Sequence, residues 1–104
     1  GKDSHHMPAR EASPLDPRDG PAVQMAPIDH GKTKSNGNKG LQGELYREMI
    51  KELLNKGEWR KAMAIEIRDV RRISRSIDSP RKYNEAMLEM LEYFKCLEKH
   101  GLLK

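Results

Sequence analysis

Apolar residues recur at helical spacing through most of the second half of the chain. Leu41, Leu45, Met49 and Leu53 follow one another every four positions, with Tyr46, Ile50 and Leu54 alongside, which predicts a helix with one broad apolar face. Gly57 marks its stop. Trp59, Met63, Ile67, Val70 and Ile73 form a second stripe. It breaks at Asp78-Ser79-Pro80, where Ser79 is placed to cap and Pro80 to open the next helix. Tyr83, Met87, Met90, Leu91, Phe94 and Leu97 give a third stripe, ended by Gly101. All three are read as core, because a methionine-rich face most often packs.

The first forty residues follow another pattern. They hold nine apolar residues, five of the six prolines and no aromatic, against 28 apolar residues and all five aromatics in 41–104. Ser4-His5-His6-Met7 is expected to form a short strand ending at Pro8. Ala22-Val23-Gln24-Met25 is expected as a second strand after Gly20-Pro21. Residues 9–21, with Pro14 and Pro17, are expected as an ordered but irregular loop, and a short helix starts after Pro27. Lys32 to Gly40 reads as a polar, basic loop. At 104 residues the chain is too short for two independent cores. The expected fold class is therefore α+β, mostly helical: one domain over 1–104, in which 1–40 leans on three helices in 41–104.

Composition removes several possibilities. No apolar run approaches the roughly 20 residues of a membrane span. The N-terminus carries no apolar core of a secretory signal, so none is expected there. A single cysteine, Cys96, excludes an internal disulfide framework and a cysteine-rich zinc module. Twenty Lys and Arg against sixteen Asp and Glu give a net charge of +4, which permits a nucleic-acid partner without requiring one.

Three of the four histidines lie in the first part: His5, His6 and His30. Imidazole serves near neutrality as a metal ligand or a proton acceptor. Neighbouring strand residues point to opposite faces, so His5 and His6 share a site only if the strand is irregular there, which Pro8 allows. An N-terminal remnant is the plainer reading of His5-His6-Met7, and a turn role that of His30. His100, beside Gly101, reads as a cation at a helix end. Among the basic residues, Arg68, Arg71, Arg72 and Arg75 share a helix face, near Arg81 and Lys82. Lys32, Lys34, Arg68, Arg72 and Arg75 are the candidate phosphate-binding residues. A solvated helix face or an interface for an acidic partner fits the same arginines equally. No aromatic platform for stacking bases is evident, which favours duplex DNA over base-specific RNA reading.

Ser4-His5-His6 with Pro8, Gly20-Pro21-Ala22-Val23-Gln24-Met25, and Asp29-His30 with Thr33 and Ser35 resemble the C-terminal toxin domains of bacterial polymorphic toxins. The resemblance is to the HNH/endonuclease VII group of the His-Me finger superfamily that carries a Ser-His-His signature, and residues 3 to about 36 carry it. The His-His-x-Pro element is also similar to the nuclease domain of DNase colicins. The resemblance implies a ββα-metal motif, with His5 and His30 as metal ligands and His6 as the general base. It implies a metal-dependent endonuclease that acts on DNA and leaves 5′-phosphate ends. It implies a toxic domain delivered from the producing bacterium into a target-cell cytoplasm, opposed by a cognate immunity protein. A monomer is expected.

Two positions depart from the group's pattern. The Asn that orients the base has no counterpart in Asp19-Gly20-Pro21-Ala22, where a backbone carbonyl can take its role. Lys34 stands where a further ligand histidine is found, which leaves Asp3, Asp29, Thr33 or water to complete or orient the shell. Two imidazoles suit zinc or nickel, and an oxygen-rich shell suits magnesium or manganese, so the divalent ion stays open. The alternative functions are an RNase built on the same site, and a non-enzymatic interaction domain in which residues 41–104 do the binding.

Overall fold

The structure is a computed structural model and describes residues 1–103. Two four-residue strands, β1 (Asp3–His6) and β2 (Ala22–Met25), pair antiparallel, with Asp3 opposite Met25 and His6 opposite Ala22. Their side chains alternate as strand geometry requires: His5, Val23 and Met25 are buried, while Ser4 and Gln24 are exposed. The Met7 N–H adds one more bond, to the Pro21 carbonyl at 2.9 Å, and the Met7–Pro8 peptide is cis. Turns fill most of residues 7–20. Pro27 then occupies the first turn of the short helix α1 (Pro27–His30), where its missing N–H costs nothing. A 3-10 turn over Gly37–Lys39 is capped by Asn36, whose side chain accepts the Asn38 N–H at 3.0 Å.

Three long helices follow: α2 (Gly40–Asn55), α3 (Trp59–Ser76) and α4 (Asn84–Lys99). The chain is thus a mostly helical α+β protein with the order strand, loop, strand, short helix, three helices. Gly57 and Gly101 end α2 and α4 with the positive φ values, 77° and 67°, that glycine adopts without strain. Among the described residues no helix is long and apolar enough to cross a membrane.

Two expectations are corrected. The apolar face of α2 is only partly core. Ile50 and Leu54 are buried and Leu53 is half-buried, but Leu41, Leu45 and Met49 are 66, 51 and 40 % exposed. The helix instead turns Gly43 toward the loop before it, which passes so close that a Cβ there would lie 2.7 Å from the Cβ of Lys39 and 3.1 Å from the Asn36 carbonyl. Nor does α4 open at Pro80. Residues 80–83 form turns, and Lys82 and Tyr83 reach from them to Asp29 of α1.

One core joins both parts of the chain. Met7, Ala9, Ala12, Val23 and Met25 pack in a cluster with Ile50, Leu54, Trp59, Met63, Val70, Met87, Met90 and Phe94. Met7, Met25, Ile50 and Val70 are fully buried, and each such side chain contributes roughly 1.5–3 kcal/mol through the area it removes from water.

Inside this core α3 carries a carboxyl. Glu66 is completely buried and accepts the Ala9 N–H at 2.5 Å and the Tyr46 hydroxyl at 2.6 Å. It therefore ties α2 and the loop after β1 to α3. Burial pushes its pKa up to about 7, against the two hydrogen bonds that favour the anion, and the charge of Asp69 adds to the rise. Burial also holds the Tyr46 hydroxyl well above the usual phenol range, with the Glu66 charge as the next cause.

A carboxyl whose folded pKa lies above its unfolded value of 4.5 stabilises fully below 4.5 and loses that contribution as pH rises through about 7. Glu66→Gln removes the titration. Urea unfolding at about pH 5 and about pH 8 should show wild type losing ground to the variant by up to roughly 3 kcal/mol across that interval, at 1.36 kcal/mol per pKa unit. A difference between the two proteins that does not change with pH contradicts this role.

Candidate functional site

The antiparallel pairing sets out the first two histidines on opposite faces of β1. His5, opposite Val23, faces the core and is 3 % exposed. His6, the last strand residue, is half-buried, and its Nε2–H donates to the Pro17 carbonyl at 2.8 Å. A carbonyl only accepts, so Nε2 carries the hydrogen and the neutral ring keeps its lone pair on Nδ1. The third histidine closes α1. His30 Nδ1–H donates to Asp3 Oδ2 at 3.0 Å, which leaves the lone pair of its neutral ring on Nε2. The His5 and His30 rings meet edge to face, with centroids 5.3 Å apart at 64°.

All three imidazoles line one open cleft of about 310 Å³. Ser4 belongs to the same wall, and Arg10, Glu11, Ser35, Asn36 and Arg47 complete the lining. The Arg47 guanidinium is held in place: Nη1 donates to the Ser35 carbonyl at 3.1 Å, and Nε lies 3.3 Å from Glu11. The strand's alternation thus does not keep His5 and His6 from a common cleft, because β1 ends at His6 and the chain turns there.

His5 is held firmly in its neutral form. Burial first, then the nearby His30 and His6, hold its pKa down to about 3 from 6.5, so the ring is neutral at physiological pH. Its Nε2 is buried without a hydrogen-bond partner among the described residues. An unpaired buried nitrogen costs about 1–3 kcal/mol, which a bound ligand atom would offset. Among the described residues no group of three or more His, Cys, Asp or Glu side chains is arranged to hold a metal ion. The 5.3 Å spacing of the two rings nonetheless leaves room for one between them. Rings that bind a single ion through nitrogens at about 2.0–2.1 Å have centroids roughly 5 Å apart. The Asp3 carboxylate on the far nitrogen of His30 is the kind of support that ligand histidines receive.

The remaining candidates lie elsewhere. Asp29 is buried and accepts Lys82 Nζ at 2.8 Å and the Tyr83 hydroxyl at 2.5 Å. The same Tyr83 oxygen accepts the Ala26 N–H at 3.1 Å, which fixes the start of α1. The buried Thr33 hydroxyl donates to the His30 carbonyl at 2.8 Å. Arg72 is committed to Asp69 Oδ1 through Nε and Nη2, at 3.1 and 2.9 Å, and donates to the Lys32 carbonyl. Lys32, Lys34, Arg68 and Arg75 are exposed, and none of these five cations lines the cleft. The cleft's own cations, Arg10 and Arg47, were not among the sequence candidates; their type and spacing carry no signal that sets them apart from other surface arginines. The Pro17 carbonyl stands where an orienting group for His6 was sought, on a backbone atom that no side-chain pattern reveals.

Compared with models of protein families, with curated proteins and with solved structures, the chain matches none.

Asp29 holds the helix that carries His30, and two hydrogen bonds, Lys82 first and Tyr83 second, keep its carboxyl below the usual aspartate range. A folded pKa below the unfolded value stabilises above 3.8 and is lost as pH falls through the lower folded value. Asp29→Asn should cost about 2 kcal/mol near neutrality in urea unfolding, with the gap closing in acid. A variant within about 0.5 kcal/mol of wild type at neutral pH would contradict the anchoring role.

Proposed function

We propose that this chain is a metal-dependent endonuclease that hydrolyses phosphodiester bonds in DNA at the three-histidine cleft. The observation that carries the reading is the neutral, unpartnered Nε2 of His5 beside His30, in the same cleft as a His6 ring whose tautomer is set by a backbone carbonyl. Strand, strand and short helix follow one another in the order of a ββα-metal motif, and the resemblance of Ser4-His5-His6-x-Pro8 and Asp29-His30 supports the same reading.

Each side chain has a stated task. His5 and His30 would hold a divalent ion, with Asp3 fixing the tautomer and direction of the His30 ring. Such an ion supplies Lewis-acid stabilisation of the charge that develops on a phosphate oxygen. His6 accepts the proton of the attacking water at Nδ1, while its Nε2–H stays on the Pro17 carbonyl and the positive ring is stabilised by that bond. The water oxygen forms a bond to phosphorus, the bond to the leaving sugar oxygen breaks, and that oxygen is protonated from solvent. Arg10 and Arg47 line the same cleft and would attract the anionic backbone. The exposed Lys32, Lys34, Arg68 and Arg75 add positive charge outside it, while Arg72 is held by Asp69. By the resemblance, the domain acts as a toxin delivered into the cytoplasm of a target bacterium and is countered by an immunity protein.

Plasmid nicking tests the reading. Wild type should nick in the presence of a divalent ion and stop with EDTA. His6→Ala should lose about 100- to 10,000-fold. Asp3→Asn should need about 10- to 100-fold more metal for half-maximal rate. Nicking by His6→Ala and His30→Ala at the wild-type, EDTA-sensitive rate would overturn the site. Faster turnover of RNA than of duplex DNA would overturn the substrate.

A further inference from the structure

One cation of the cleft is built in far more firmly than its counterion. Arg47, on α2, has a side chain only 18 % exposed. Its Nη1 is committed to carbonyls, donating to Ser35 at 3.1 Å and to Asn36 at 3.4 Å. Asn36 in turn donates its Nδ2 to the His30 carbonyl at 3.3 Å, so the guanidinium is tied to the helix that carries His30. Gly43, one turn before Arg47, makes the room, because a Cβ there would lie 3.2 Å from Nη1. Glycine inside a helix is destabilising, and here it leaves the space that the guanidinium fills.

The Nε–Nη2 edge remains, and Glu11 stands on it with Oε2 3.3 Å from Nε. The Glu11 side chain is 74 % exposed, and an ion pair with one partner in solvent is worth little. The backbone beneath it is anchored. Glu66 holds the Ala9 N–H, and Ala12 is buried with its own N–H on the Ala9 carbonyl at 3.0 Å. Only the Glu11 side chain has to swing for the edge to open.

Both residues line the three-histidine cleft. A phosphodiester spreads one charge over two non-bridging oxygens, and two such oxygens match a guanidinium edge in a bidentate pair. One carboxylate oxygen on Nε uses that edge only in part. We infer that Arg47 clamps a backbone phosphate of DNA in the cleft and that Glu11 occupies the place of that phosphate until DNA displaces it. The inference rests on the reading of the cleft as a nuclease site. The contact is autoinhibitory, since the unliganded cleft holds a negative charge where the substrate's must go.

Fluorescence anisotropy of a labelled duplex oligonucleotide, with the full chain in EDTA, reads binding without turnover. Glu11→Gln should tighten binding about two- to five-fold, the worth of an exposed ion pair. Glu92→Gln, at an exposed glutamate of α4 outside the cleft, removes the same charge and should change binding clearly less. Arg47→Ala should weaken binding about ten-fold or more and lower the slope of log K against log salt by about 0.9. In that background Glu11→Gln should gain no more than Glu92→Gln does. Equal gains for Glu11→Gln and Glu92→Gln overturn the inference, and this comparison does not depend on the folding of Arg47→Ala. A Glu11→Gln gain that persists in full without Arg47 overturns it too, as does an absence of binding by wild type and Glu11→Gln alike at about 100 µM. Binding with the expected pattern but no nicking with any divalent ion overturns the nuclease reading and bears the clamp out. Nicking by a wild type whose Glu11→Gln variant binds no tighter overturns the clamp alone.

Discussion

Residues 1–40 carry too little apolar surface to hold themselves, and three buried carboxylates fasten them to the helices. Glu66 of α3 takes the Ala9 N–H, just after the histidine pair. Asp69, one turn on, takes the Lys34 N–H at 2.8 Å and is itself held by Arg72. Asp29 of α1 reaches the other way, to Lys82 and Tyr83 ahead of α4. Each bond joins a segment that apolar packing alone would leave loose to one that is firmly buried. A charge-assisted hydrogen bond such as that of Lys82 to Asp29 or Arg72 to Asp69 is worth about twice a neutral one, while Glu66 stabilises most in its protonated form. The cleft depends on these attachments, because its walls are the residues on either side of them: His5, His6 and Ala9 near Glu66, and Ser35 and Asn36 near Asp69.

The same forces that fix the walls prepare the imidazoles. Burial first, then the neighbouring His30 and His6, keeps His5 neutral, and a neutral ring is the form that binds a cation. Two acceptors, the Asp3 carboxylate and the Pro17 carbonyl, each take the hydrogen from one nitrogen of a neighbouring ring. The lone pairs of His30 and His6 are thereby assigned to chosen nitrogens at no further cost. This is preorganisation by acceptor placement.

The elements were legible in the sequence because periodicity and punctuation agreed. Ala22–Met25, the short helix at Pro27, the stop at Gly57 and the stripe on α3 all follow from local rules, and the first strand is displaced by one residue only, to Asp3–His6. Where the reading failed, tertiary contact overrode the local rule. The Leu41-Leu45-Met49 row looks like core by spacing, yet α2 packs on the core through Ile50 and Leu54 and leaves that row outside. Ser79-Pro80 has the chemistry of a helix start, yet Lys82 and Tyr83 serve Asp29 from turns. Glu66 carried a signal that went unread: it falls on the Trp59, Met63, Val70, Ile73 stripe, and a carboxylate on a buried stripe announces a polar contact within the core. The Pro17 carbonyl and the position of Arg47 have no such signature, since they arise from loop paths that a single sequence does not encode locally.

The central claim is that His5 and His30 offer their nitrogens to one ion while His6 does not. Nitrogen-15 NMR of the imidazole rings during a zinc titration observes this atom by atom. The account predicts that the ring nitrogens of His5 and His30 shift together and saturate at one equivalent, with His6 remaining in its Nε2–H form. Saturating zinc that leaves the His5 ring unmoved, or that moves His100 instead, would contradict it.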